Sequence, residues 1–230
     1  MSYFSYTGIP TTADGRSFDR VCTVMRKFWI MSIAILLYGF VGMADGSDIP
    51  NGSWVHKTIF GLLLHDRGPF SDRHEKGVDL NGELQFKPPE WPAWRWIGSP
   101  YPMLGFTPNF NGDTSAFYGG LNYEWSLSNR WVDDVTGNLT RDLFIGVSLS
   151  VALHNGPLHK NVVGCEERSD CGFGYRALPR LGFEVGSYIA GKHAVSIFYD
   201  HMSHKGILPG ENEGVDHIGI RYHLRFGQRF

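Results

Sequence analysis

The chain lacks any strong charge excess: 21 basic residues stand against 23 acidic ones, a formal net charge of −2. Without a basic surplus there is no electrostatic footprint for nucleic acid, and none is expected as a partner. Cysteine is scarce, three residues in 230, and no CxxC or Cys/His cluster has metal-ligand spacing, so no structural metal site is expected. Beyond about residue 50 there is no long apolar run and no convincing 3.6-residue periodicity, which argues against a helical fold. Glycine (29 residues) and aromatics (14%) are abundant instead, and both suit strands joined by many turns.

The one apolar run sits early. "MRKFWIMSIAILLYGFVGMADG" starts at Met25 with Arg26 and Lys27, is apolar from Phe28 to Val41, and closes on Gly42, Met43 and Ala44. A charged start, an apolar middle and a small-residue cleavage site make a secretory signal. A membrane-anchor helix needs about 20 apolar residues, and this run is shorter. Met25 is the expected start, so residues 1–44 read as an upstream extension plus signal peptide and residues 45–230 as the mature domain. Export to an oxidising compartment makes Cys165 and Cys171, in "VVGCEERSDCGFG", the expected loop-closing disulfide rather than two free thiols.

The mature sequence alternates with a period of two. In "DLFIGVSLSVALHNG", Leu143, Ile145, Val147, Leu149, Val151 and Leu153 share one face, against Phe144, Gly146, Ser148, Ser150 and Ala152. Eight such segments are placed at roughly 54–66, 76–88, 101–111, 115–128, 142–155, 176–189, 193–204 and 215–226. A soluble barrel or sandwich also alternates, but it puts charge outside. Here the faces opposite the Leu/Val/Ile faces carry Glu83, Glu124, Glu184, Arg180 and Arg221, too polar for an apolar core. Pairs such as Asp79/Glu83 with Arg221/Arg225 fit the inside of a narrow barrel and leave the aliphatic faces for lipid. The expected fold is an all-β, eight-stranded antiparallel transmembrane β-barrel. Trp54, Trp125, Tyr199, Tyr222 and Phe226 are the expected interfacial aromatics, and "GIRYHLRF" the terminal strand. With a periplasmic N-terminus, connections near 66–76, 111–115, 155–176 and 204–215 face outward. The long connection "KPPEWPAWRWIGSP" on the other side has no explanation at this level.

In "FYDHMSHKG", Val195, Ile197, Tyr199, His201 and Ser203 share the lipid face of the seventh strand. Asp216 begins the eighth, its hairpin neighbour, about level with the His/Ser pair. A serine hydroxyl needs a base, and the base needs a third group to fix its tautomer. Ser203, His201 and Asp216 have the types and the shared face for nucleophile, base and orienting acid. Asn212, or backbone N–H groups of "GENEG", are oxyanion candidates. Read without further context, a histidine and a serine at a strand end are equally ordinary interfacial polar residues.

The stretch "HMSHKGILPGENEGVD" resembles the motif of the lipid A 3-O-deacylase (PagL) family, an acyloxyacyl hydrolase-like group of outer-membrane β-barrels. "EKGVDLNGEL", "NGDTSAFYGGL" and "ALHNG" are similar to other family segments. The resemblance implies a serine esterase with Ser203 as nucleophile, His201 as base, Asp216 as orienting acid and Asn212 as oxyanion donor. It implies hydrolysis of the ester-linked 3-hydroxyacyl chain at position 3 of lipid A in lipopolysaccharide. The setting is the outer membrane of a Gram-negative cell, among outer-membrane lipids and without a cofactor. The acid is Asp here where the best-known family members use Glu, and His204 stands where Asn is common. Alternative readings are a non-enzymatic barrel serving adhesion or envelope integrity, and a phospholipase or acyltransferase barrel. Oligomeric state and acyl-chain preference are not legible.

Overall fold

A computed structural model describes residues 54–71, 75–127, 142–158, 172–190, 192–204, 207–209 and 212–226. The signal segment with Ala44, and both Cys165 and Cys171, lie outside these residues. Eight strands form: β1 (Val55–His65), β2 (Val78–Phe86), β3 (Tyr101–Thr107), β4 (Ala116–Ser126), β5 (Leu143–His154), β6 (Ala177–Ala190), β7 (His193–Met202) and β8 (Val215–Arg225). Each pairs antiparallel with its sequence neighbour, and β1 pairs with β8, so the sheet closes. Closure leaves no strand edge, which is the condition for backbone to cross hydrocarbon as strands. Among the described residues no helix is long and apolar enough to cross a membrane.

The alternation becomes an outside and an inside. Leu62, Leu64, Leu149, Val151, Val185 and Ile197 are each more than half exposed on the outer wall. Their sequence neighbours point inward and are charged or polar. Arg221 lies between Glu83 (3.0 Å) and Glu184 (3.8 Å). Arg180 grips Asp200 with two hydrogen bonds, at 3.1 and 2.6 Å. Lys57 and Arg225 both pair with Glu124. Aromatic rings complete the packing, with the Arg180 guanidinium 3.8 Å from the Tyr118 ring centre and that of Arg221 4.1 Å from Phe198. Gly105 makes room for Tyr118: a Cβ there would sit 2.3 Å from the tyrosine ring. Paired, hydrogen-bonded charges fill the interior of a narrow barrel where a soluble protein would hold an apolar core.

Two expected details differ. β3 stops at Thr107 rather than about residue 111, because Pro108 has no N–H to continue the ladder. Phe226 is 3% exposed and not an interfacial aromatic. It lies past the last residue of β8, where alternation no longer sets direction, and its N–H donates to the His56 carbonyl (2.8 Å). The long β2–β3 connection contains a short helix, α1 (Pro92–Trp96).

Candidate active site

The β7–β8 ladder sets His201 directly opposite Asp216. Alternation turns both outward, while their neighbours Asp200 and His217 turn inward and meet each other at 3.0 Å. On the outer face, His201 Nδ1 lies 2.6 Å from Asp216 Oδ1. On its other side, Nε2 lies 2.6 Å from Ser203 Oγ. A carboxylate only accepts, so Nδ1 carries the proton and Nε2 accepts the serine O–H. The structure thus brings Ser203, His201 and Asp216 into one hydrogen-bonded line at the rim carrying the β1–β2 and β7–β8 connections.

Asp216 is fully buried although it belongs to the outward face. The β1–β2 connection covers it. Asp66 adopts a left-handed conformation (φ 52°), which Asp tolerates in tight turns, and the chain folds back over the start of β8. The Arg67 N–H donates to the Asp216 carbonyl (3.1 Å) and the Phe70 N–H to Asp216 Oδ2 (2.8 Å). Gly68 touches the carboxylate so closely that a Cβ would fall 2.2 Å from Oδ2. The Tyr199 hydroxyl donates to Oδ1 (2.9 Å). The Phe70 ring meets the His201 ring edge-on, centroids 5.6 Å apart. The acid is therefore fixed from three sides, by β7, β8 and the loop.

Tyr199, expected as an interfacial aromatic, thus contributes to the site. Its position two residues before His201 on one face was the available signal. Gly68 and Phe70 had none, because they reach Asp216 from the far end of the barrel sequence.

Two backbone donors at Ser203 and His204 are committed elsewhere. The Ser203 N–H donates to Pro179 (3.1 Å) and the His204 N–H to Asn212 Oδ1 (2.8 Å). His204 is fully buried, and its ring meets Tyr175 edge-on at 5.2 Å. It braces the loop after β7.

Below the triad, inside the wall, His65, Asp79 and His217 bring ligand-type atoms within 4.8 Å of one another. Both His65 nitrogens already face carboxylates, Asp79 Oδ2 and Glu75 Oε2, each at 2.7 Å. His217 sits between Asp79 (2.9 Å) and Asp200 (3.0 Å). Lone pairs turned toward carboxylates would repel rather than bond, so His65 offers none to a metal, and the group fits an ion-pair network instead. Glu75 ends this network in the β1–β2 connection. Burial would raise its pKa, but hydrogen bonds from His65 and Thr114 outweigh that and hold it below the ordinary value.

Residues 80–225 match the family model described as lipid A 3-O-deacylase (PagL). Among solved structures, the outer membrane enzyme PagL is similar at a TM-score of 0.49 and 12% identity, covering 74% of this chain and 99% of that one. The Yersinia pestis outer membrane protein Ail is similar at 0.36 and 9%, with the same coverage. No curated protein sequence matches. The family match covers more than half of the chain and runs from β2 through the end of β8. This outer-membrane β-barrel belongs to the lipid A 3-O-deacylase (PagL) family.

Proposed function

We propose that the chain removes the ester-linked 3-hydroxyacyl chain at position 3 of lipid A, with Ser203 as nucleophile, His201 as general base and Asp216 as orienting acid. The observation that carries this is the unbroken Ser203–His201–Asp216 hydrogen-bonded line at the ends of β7 and β8. Ser203 Oγ attacks the acyl carbonyl as His201 Nε2 takes its proton. The tetrahedral oxyanion needs a hydrogen-bond donor, the role the family resemblance assigns to Asn212. Collapse breaks the bond to the sugar oxygen, which receives the proton from His201. Water, deprotonated by the same nitrogen, then attacks the acyl-serine and releases the fatty acid. Asp216 stays ionised and stabilises the imidazolium formed in each half. Exposed Phe70, Ile207 and Leu208 on the two flanking loops supply apolar surface for an acyl chain.

The test is expression of wild type and Ser203→Ala in outer membranes, followed by mass spectrometry of lipid A. Loss of one 3-hydroxyacyl chain with wild type only is expected. Loss with both proteins moves the nucleophile away from Ser203. Intact lipid A with both, in folded barrels, refutes the deacylase reading and leaves a phospholipase or a non-enzymatic barrel.

A further inference from the structure

Residues 87–100 join β2 to β3 at the rim opposite the triad, where barrel turns are ordinarily short. This one contains Trp91, Trp94, Trp96 and Ile97, and α1 within it buries none of its residues. Trp91 is 67% exposed, Trp96 88% and Ile97 46%. A water-facing turn gains nothing from such side chains, whose apolar surface is costly to hydrate.

The fastening of the segment shows what meets it. Pro92 starts α1 with its φ already helical. At the other end, the Trp94 indole N–H donates to the Pro100 carbonyl (2.9 Å). The Tyr123 hydroxyl then donates to the Ile97 carbonyl (3.0 Å), with the tyrosine ring against Gly98. Tyr123 stands on the outer face of β4, stacked on Trp125, while its neighbours Asn122 and Glu124 point into the barrel. The hydrogen bond therefore ties α1 to the outer wall, continuous with the surface that contacts lipid. Trp54, its ring tilted against Phe86 at the end of β2 (centroids 5.5 Å apart), lies at the same rim and is 75% exposed.

We propose that residues 91–97 form an interfacial anchor lying in the lipid leaflet opposite the triad. Trp91, Trp96 and Ile97 sit at the boundary between headgroups and acyl chains. Exposed Arg95 meets the lipid phosphates. Indole and guanidinium are the groups that settle at this boundary, since each couples an apolar body to a polar donor. Assignment to the periplasmic, phospholipid leaflet rests on the proposed deacylase reading, which puts Ser203 in the outer leaflet. Contact with lipid itself does not depend on it.

The experiment refolds wild type and Trp91→Phe/Trp96→Phe into phosphatidylcholine vesicles whose chains carry bromine either close to the headgroup or deep in the acyl region. The emission missing from the double variant reports the two tryptophans. Quenching by shallow bromine more than by deep bromine, with protection from iodide on both sides of the membrane, is expected. Quenching by iodide without a bromine effect, in barrels that keep their heat-modifiable gel shift, overturns the anchor. Should the double variant not fold, Trp96→Phe alone gives the same reading, because that side chain is the more exposed. Ser203→Ala barrels, which need no lipid A for this measurement, separate the two proposals: lost deacylation leaves the quenching pattern unchanged.

Discussion

Asp216 and His201 face each other across the β7–β8 ladder, and their side chains meet at 2.6 Å without either leaving the outward face. The shorter reach of Asp relative to Glu is thus met by register. Asp216→Asn keeps the volume but presents an amide that no longer holds Nδ1–H against a charge. A fall in kcat of about ten-thousand-fold is expected, with KM little changed and the barrel still folded. Steady-state kinetics on a purified lipid A substrate measure it, and near-wild-type turnover would remove Asp216 from the mechanism.

Tyr199 shares Asp216 Oδ1 with His201, so its hydroxyl positions the carboxylate without touching substrate. One hydrogen bond of this kind is worth about 1 kcal/mol, or roughly a five-fold effect. Tyr199→Phe is expected to lower kcat by about that factor and leave KM unchanged. A change confined to KM would instead make the hydroxyl a substrate contact.

Gly68 leaves no room for a side chain beside Asp216. Gly68→Ala must push the β1–β2 connection away, breaking the Phe70 N–H bond to Oδ2. Deacylation is expected to drop about ten-fold or more, the equivalent of losing one charge-assisted hydrogen bond. Thermal unfolding should not move, because the loop lies outside the ladder. Unchanged activity would show that the acid needs no cover.

Much of this was legible in the sequence for a simple reason: a barrel wall imposes a strict period of two over long segments, and charge marks its inner face. All eight strands fall within the expected segments, apart from a one-residue overrun of β6. The His201/Ser203/Asp216 grouping was legible for the same reason, since spacing of two fixes the face and hairpin pairing fixes the level. Alternation is silent where the chain leaves the ladder. It did not foresee Phe226 being buried or Pro108 ending β3. Nor did it foresee the loop from Asp66 to Ser71 closing over a residue 146 positions away from Phe70. The Tyr199 bond to Asp216 was not foreseen because an aromatic at a strand end reads as a lipid-interface residue whether or not its hydroxyl also meets a carboxylate.

Glu75 makes the outer loops sensitive to acid. It bonds His65 within β1 and both the N–H and hydroxyl of Thr114 before β4. Its folded-state pKa lies below the ordinary value of 4.5. Its contribution is therefore present above that value and is lost as pH falls through the lower, folded one. The protection factors of the amides of residues 75–78 and 113–115, taken against intrinsic exchange at each pH, are expected to be high at neutral pH and to fall as the pH drops below 4.5. Glu75→Gln should exchange faster already at neutral pH. Equal protection in both proteins across that range would assign the loop order to other contacts.

Arg221 tests what the buried charges do for the barrel. It holds two carboxylates, Glu83 and Glu184, in an interior with no water-facing side. Arg221→Met preserves most of the volume over Phe198 but leaves both carboxylates without the cation they share. Breaking one partner out of a buried pair costs about 3–5 kcal/mol, because the remaining charge keeps its desolvation penalty without its counter-ion. Replacing the partners together removes the penalty as well as the attraction. Arg221→Met is therefore expected to unfold at markedly lower denaturant in vesicles, and the triple variant with Glu83→Gln and Glu184→Gln to recover most of the loss. If the triple variant were as unstable as the single one, packing of the guanidinium on Phe198, rather than charge balance, would hold this level of the barrel. The recovery thus separates the two causes, which a single substitution leaves combined.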